Sequence, residues 1–193
     1  MRASMLETVE IMTATAEALF AEIVDHPDDD QRRLVYADFL QERGDPRGEL
    51  IALQLANRGA QRVADLIATH VHVWLGPVAV VAALDRCKFE RGFLAEVTLL
   101  DGVYAHRLGP AVGHPTWATV RRLHLGRRDS PPAALLLHPV MRALEDVSIT
   151  ARGEFRQVGI RDVGDSYYFV LYGVGARRQG YRSTPCFGPR RCN

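Results

Sequence analysis

The sequence predicts an α+β (or α/β) protein: an N-terminal helical module packed on a short array of parallel strands and closed by a C-terminal β-hairpin. Three observations predict this. From about residue 14 to residue 75, apolar side chains recur at helical spacing, interrupted by Gly, Asp and Pro. From Phe93 onward, three segments share one pattern: Leu94-x-x-Val97-x-Leu99, Val120-x-x-Leu123-x-Leu125 and Leu144-x-x-Val147-x-Ile149. Farther on, Ser166 to Val174 reads SYYFVLYGV, an aromatic and β-branched run suited to a strand.

Residues 1–12 read as a weakly specified leader. A first helix is expected over about 14–25, with Leu19, Phe20, Ile23 and Val24 on one side and Thr13 or Thr15 as cap. His26 to Asp30, HPDDD, is a turn whose aspartates complement the positive end of the next helix. The three aspartates lack the alternating spacing and distal Glu of a calcium loop, so no metal is expected there. In the second helix Leu34, Val35, Phe39 and Leu40 supply the apolar pattern. Gly44 stops it through its tolerance of positive φ, Asp45 offers a capping oxygen, and Pro46 suits the first turn of a third helix running to about 57. A fourth helix is expected over 60–75, with Val63, Leu66, Ile67, Val71 and Trp74 apolar, ended by Gly76-Pro77. His70 and His72 lie two apart on it and face different ways, which makes them poor joint ligands.

The stretch YADFLQERGDPRGE resembles the signature of the bacterial repeat-companion domain, and with the upstream EALFAEIVDHPDDDQRRLVYADFL the resemblance covers roughly 15–57. Phe39 and Gln41 stand where members of that family often carry Trp and Glu. The resemblance implies a structural helical module, with Tyr36, Asp38, Gly44, Asp45, Pro46 and Gly48 as its motif residues. It also implies leucine-rich-repeat-like sequence downstream.

The downstream pattern meets that demand. Val97 to Leu123 is 26 residues and Leu123 to Val147 is 24, both inside the leucine-rich-repeat period, and L-x-x-L-x-L is that repeat's strand signature. Helix-compatible segments around 101–112 and 130–137 fall between the strands. In a parallel stack Glu96, Arg122 and Asp146 would form one exposed column, alternating in sign, and Thr98, His124 and Ser148 the next. Gly102, Arg128 and Arg152 stand near where such repeats usually carry Asn or Cys, so the units are degenerate. A fourth match, Phe155-x-x-Val158-x-Ile160, follows the third by only eleven residues, which suits an antiparallel cap paired with 166–174. The expected organisation is a helical module over 13–76, a connector over 77–92, the capped repeat-like array over 93–175, and a mobile Arg-rich tail over 176–193.

The 193 residues carry a net charge of +1, with 47% hydrophobic and 24% charged residues, as in ordinary soluble proteins. The charge is uneven: residues 1–100 hold ten basic and sixteen acidic side chains (10 − 16 = −6), and residues 101–193 hold fourteen and seven (14 − 7 = +7). Glu7 and Glu10 argue against a secretory signal, and the longest strongly apolar run, Val78 to Leu84, is short for a membrane span. A cytoplasmic location without membrane contact is expected. Cys87, Cys186 and Cys192 are too few for a disulfide framework, although the last two share a tail where a disulfide is possible.

No nucleophile elbow, phosphate loop, dinucleotide fingerprint or zinc motif occurs. Asp38 and Glu42 share a helix face, where Asp38 is expected to bond backbone and Glu42 to pair with Arg47. No catalytic residue, cofactor or metal is expected. The expected function is recognition of a protein partner by Glu96, Thr98, Arg122, His124, Asp146 and Ser148, flanked by Arg121, Arg127 and Arg128. That would suit a regulatory protein beside a larger bacterial signalling or defence effector. The alternative is nucleic-acid binding by the Arg-rich C-terminal half, with Tyr167, Tyr168, Phe169, Tyr172 and Tyr181 as stacking surfaces.

Overall fold

The computed structural model describes residues 15–101, 105–125, 133–151, 154–162 and 167–173. The 176–193 tail with Cys186 and Cys192, and also Thr13, Gly102, Arg127, Arg128 and Arg152, lie outside the described residues.

Among the described residues four α-helices precede the first strand: α1 over 15–25, α2 Asp30–Gln41, α3 Pro46–Leu55 and α4 Ala60–Leu75. Their ends follow local chemistry. Asp29 caps α2 by accepting the Gln31 N–H at 2.9 Å. Gly44, at φ 71°, reverses the chain, and Asp45 caps α3 by accepting the Arg47 N–H at 2.8 Å with Pro46 in the first turn. Gly48 has a different task. A Cβ there would lie 2.6 Å from the Ala37 carbonyl oxygen and 2.9 Å from the Gln41 nitrogen, so glycine lets α3 lie against the backbone of α2.

The inward face of α2 keeps Phe39 and Leu40 of the expected residues but not Leu34 and Val35. Arg33, Ala37 and Leu40 are buried, while Leu34 and Val35 are 37% and 48% exposed. The row i, i+4, i+7 faces the core, and the position that looks least apolar in it is filled by an arginine whose stem packs inward. The Arg33 Nη1 donates to the Asp29 carbonyl at 3.3 Å.

In α4, Leu66, Val71, Trp74 and Leu75 are buried, and Gly76, at φ 51°, opens a 3-10 turn over Gly76–Val80. By length and composition alone the run Ala60–Val80 is apolar enough to cross a membrane, which the shorter 78–84 run did not suggest. One side of it is committed to the protein core, while Val73 and Val80 remain exposed.

The sheet is mixed, with its six strands adjacent in chain order. β1 (Lys88–Glu90) runs antiparallel to β2 (Phe93–Thr98); β2, β3 (Arg122–Leu125) and β4 (Asp146–Ala151) are parallel; β5 (Glu154–Asp162) and β6 (Tyr167–Gly173) continue antiparallel. Val97, Leu123 and Val147 are in register, as are Glu96, Arg122 and Asp146, and Thr98, His124 and Ser148. Among the described residues the crossovers hold α5 (Ala105–Leu108) with 3-10 turns at Gly109–Ala111 and Pro115–Thr119, then α6 (Ala133–Leu136). The stretch expected as a connector holds β1 and a two-residue turn in which Arg91 (φ 52°) and Gly92 (φ 86°) both take positive φ, the geometry that matches strand twist.

One apolar cluster unites Leu50, Leu66 and Trp74 with Val97, Leu123, Leu135 and Val147, around a fully buried Trp117. A second joins Ile23, Ala37, Leu40 and Ile51 to Phe93. Both α3 and β2 therefore contribute to the two clusters at once.

The two motif glycines are separable by substitution. Gly44 has open space around it, so Gly44→Ala meets only the conformational penalty, about 1 kcal/mol. Gly48→Ala forces α2 and α3 apart and should lower stability by about 2–3 kcal/mol. Denaturant unfolding of both variants tests the assignment; equal losses would contradict it.

Candidate functional site

The polar strand face is a connected ionic cluster centred on Glu96. Antiparallel pairing with β1 and parallel pairing with β3 place Glu96 between Lys88 and Arg122. Its carboxylate accepts from Lys88 Nζ at 2.9 Å, Arg122 Nε at 3.0 Å and His124 Nε2 at 3.0 Å. Arg122 also donates to Glu90 at 2.8 Å, and His124 Nδ1 meets the Ser148 hydroxyl. Burial alone would raise the Glu96 pKa, but the three donors outweigh it and hold the carboxyl at about 2.

The sequence placed Glu96 and Ser148 in exposed columns. The register is as expected but the exposure is not: the Glu96 side chain is 12% exposed and Ser148 is buried. Lys88 (63%), Glu90 (47%) and Arg122 (37%) are the members that reach solvent. Long neighbouring side chains fold over the shorter ones they bond. Asp146 Oδ1 is buried without a partner among the described residues. Serine, imidazole and carboxylate are connected here in the order of a nucleophile relay. Ser148 is closed off, however, and Glu96 already carries two cations, so the arrangement orients the imidazole.

Arg121 is likewise engaged. It donates to Glu145 at 2.7 Å and approaches Asp28 at 4.0 Å, while Arg91 reaches Asp30 at 3.3 Å and the Pro27 carbonyl at 3.1 Å. The HPDDD turn is thus tied to the β1–β2 turn and to the residue preceding β3. Arg32, Arg91 and Arg121 approach its aspartates.

Among the motif residues, Asp38 is exposed and Glu42 approaches Arg43 at 3.9 Å rather than pairing with Arg47. Tyr36 stacks on Phe93, its centroid 6.1 Å away, and burial raises its phenol pKa. Arg47 turns inward, its guanidinium carbon 5.3 Å from the Trp74 ring centroid and 5.6 Å from that of Phe93, with Nη2 donating to the Trp74 carbonyl at 3.3 Å. It lines a groove of about 690 Å³ between α1, the helical motif, β2 and the 3-10 turn at Pro115–Thr119. None of Glu96, His124 or Ser148 lines it. Sequence reasoning missed this groove because its walls come from many separated segments between Ala16 and Arg142.

Cys87 is half-buried and free, its thiol pushed up to about 11 by burial. Among the described residues no group of three or more His, Cys, Asp or Glu is gathered for a metal ion.

No protein-family model matches the chain, and comparison with curated proteins and with solved structures found no match.

The depressed Glu96 pKa has a definite pH signature. A carboxyl held below its ordinary value contributes stability above pH 4.5 that is lost as pH falls toward 2. Between pH 6 and pH 3 the wild type should lose about 2 kcal/mol that Glu96→Gln, already weaker at neutral pH, does not. Urea midpoints across that range measure it. Parallel losses in the two proteins would show that Glu96 is not the titrating hub.

Proposed function

We propose that this protein is a non-catalytic recognition module. A repeat-companion-like helical head carries a short, degenerate leucine-rich-repeat-like array, and the polar face of β1–β3 holds a protein partner. The observation that carries this reading is the in-register ionic cluster of Lys88, Glu90, Glu96, Arg122 and His124. Its charges are held in place before any partner arrives, which reduces the entropy lost on association. Contact would fall to Lys88, Glu90, Arg122, Thr98 and His124, with Glu96, Asp146 and Ser148 as supports beneath them.

The motif at 36–48 and the 26- and 24-residue strand spacing support the repeat-companion and leucine-rich-repeat reading. A cytoplasmic regulatory protein working beside a larger bacterial signalling or defence effector is the setting that fits. Nucleic-acid binding draws less support, because Arg121 and Arg122 already bond carboxylates.

Exchanging charge at the exposed rim tests the face without changing net charge. Lys88→Glu combined with Glu90→Lys should weaken retention of a specific protein from the native host by about tenfold or more, since complementary charges become like charges. Urea unfolding of the variant serves as the folding control. Equal retention of that protein by both baits would remove the strand face from recognition.

A further inference from the structure

We propose that the groove beside α1 binds a small organic monocarboxylate with an apolar body, its carboxylate seated on Arg47. The site is independent of the strand face. Its volume, about 690 Å³, falls in the range of small-molecule sites, which are mainly apolar with a few placed polar groups. Phe20 and Val24 from α1, Tyr36 from α2, Trp74 from α4, and Phe93 and Leu94 from β2 supply apolar wall.

Charge decides the ligand class. The Arg47 guanidinium forms no salt bridge among the described residues; its one hydrogen bond goes to the Trp74 carbonyl, while Asp45, whose carboxylate caps the Arg47 backbone N–H, acts on it only from farther off. The other ionisable groups on the wall are accounted for. Arg142 pairs with Asp25, Glu17 is exposed at the rim, and burial lowers the His114 pKa. The hydroxyls of Thr116 and Thr119 donate to the carbonyls of Trp74 and Leu94 at 3.3 and 2.9 Å.

A partly desolvated guanidinium without a hydrogen-bonded carboxylate is unfavourable, and its planar fork matches a carboxylate. A single guanidinium without a salt bridge, with Asp45 already nearby, suits one negative charge better than two, which favours a carboxylate over a phosphate dianion. The Trp74 and Phe93 rings that flank the guanidinium then continue into the surface that would receive the apolar body.

Trp74 reports directly on the groove, whereas the only other tryptophan, Trp117, is fully buried. The full-length protein is titrated with 4-phenylbutyrate, decanoate, 4-phenylbutyramide and phenyl phosphate while tryptophan emission is followed. The carboxylates should give a saturable change, and the amide should bind at least about tenfold more weakly. Arg47→Met should lose the same factor. Ala21→Trp, which narrows the groove from an exposed wall position without touching Arg47, should also weaken binding and keeps the test open should Arg47→Met not fold. No saturation by either carboxylate below about 10 mM, equal binding of the amide, or tighter binding of the phosphate would overturn the proposal. So would a concentration-dependent dimer lost in Arg47→Met, which would make a second copy the occupant.

Discussion

The seating of α3 on the β1–β2 turn is the constraint on which the other features depend. Gly92 lies so close that an added Cβ would come within 2.1 Å of Ile51 Cγ1. From the same helix, Gln54 grips the turn twice, donating to the Phe89 carbonyl at 2.7 Å and accepting the Gly92 N–H at 2.6 Å. A two-residue turn leaves backbone groups unpaired, and a side-chain amide with one donor end and one acceptor end answers both. Once α3 is placed this way, Arg47 at its start is carried to Trp74 and Phe93, and Leu50 and Ile51 enter different apolar clusters. The groove and the edge of the ionic strand face both follow from this one contact.

The strand face shows how register becomes electrostatics. Parallel pairing sets Glu96 opposite Arg122 and Arg122 opposite Asp146, and β1 adds Lys88 opposite Glu96. Opposite charges on neighbouring strands attract, and a one-residue slip would set charges against the apolar row of Val97, Leu123 and Val147. The register is therefore supported on both faces of the sheet. Partial burial of Glu96 is tolerable only because three donors meet it.

Much of this was legible in the sequence because it is local. Gly44, Asp45 and Pro46 announce a stop and a restart, and 60–75 shows its helix by period alone. The parallel register could be read because apolar spacing and alternating charge agreed. What escaped depended on contacts between distant segments. Leu34 and Val35 looked like core, yet α2 buries Arg33 with Ala37 and Leu40, since neighbours in space and not polarity decide the side Arg33 faces. Arg47 was assigned to Glu42 by proximity along the chain, but its aromatic partners lie 27 and 46 residues farther on (74 − 47 and 93 − 47). The β1–β2 turn had a signal in Arg91-Gly92, a two-residue gap ending in glycine between short strand-compatible runs, although Arg-Gly is a weaker marker than Asn-Gly.

Native-state amide hydrogen exchange on the wild type and Gly92→Ala bears most directly on the claim that helical module and sheet share one core through this contact. The slowest amides of α3 and α4 should open with the same free energy as those of β2 and β3, and both sets should fall together in Gly92→Ala. Two sets with separate opening free energies, only one of them lowered by the substitution, would contradict it.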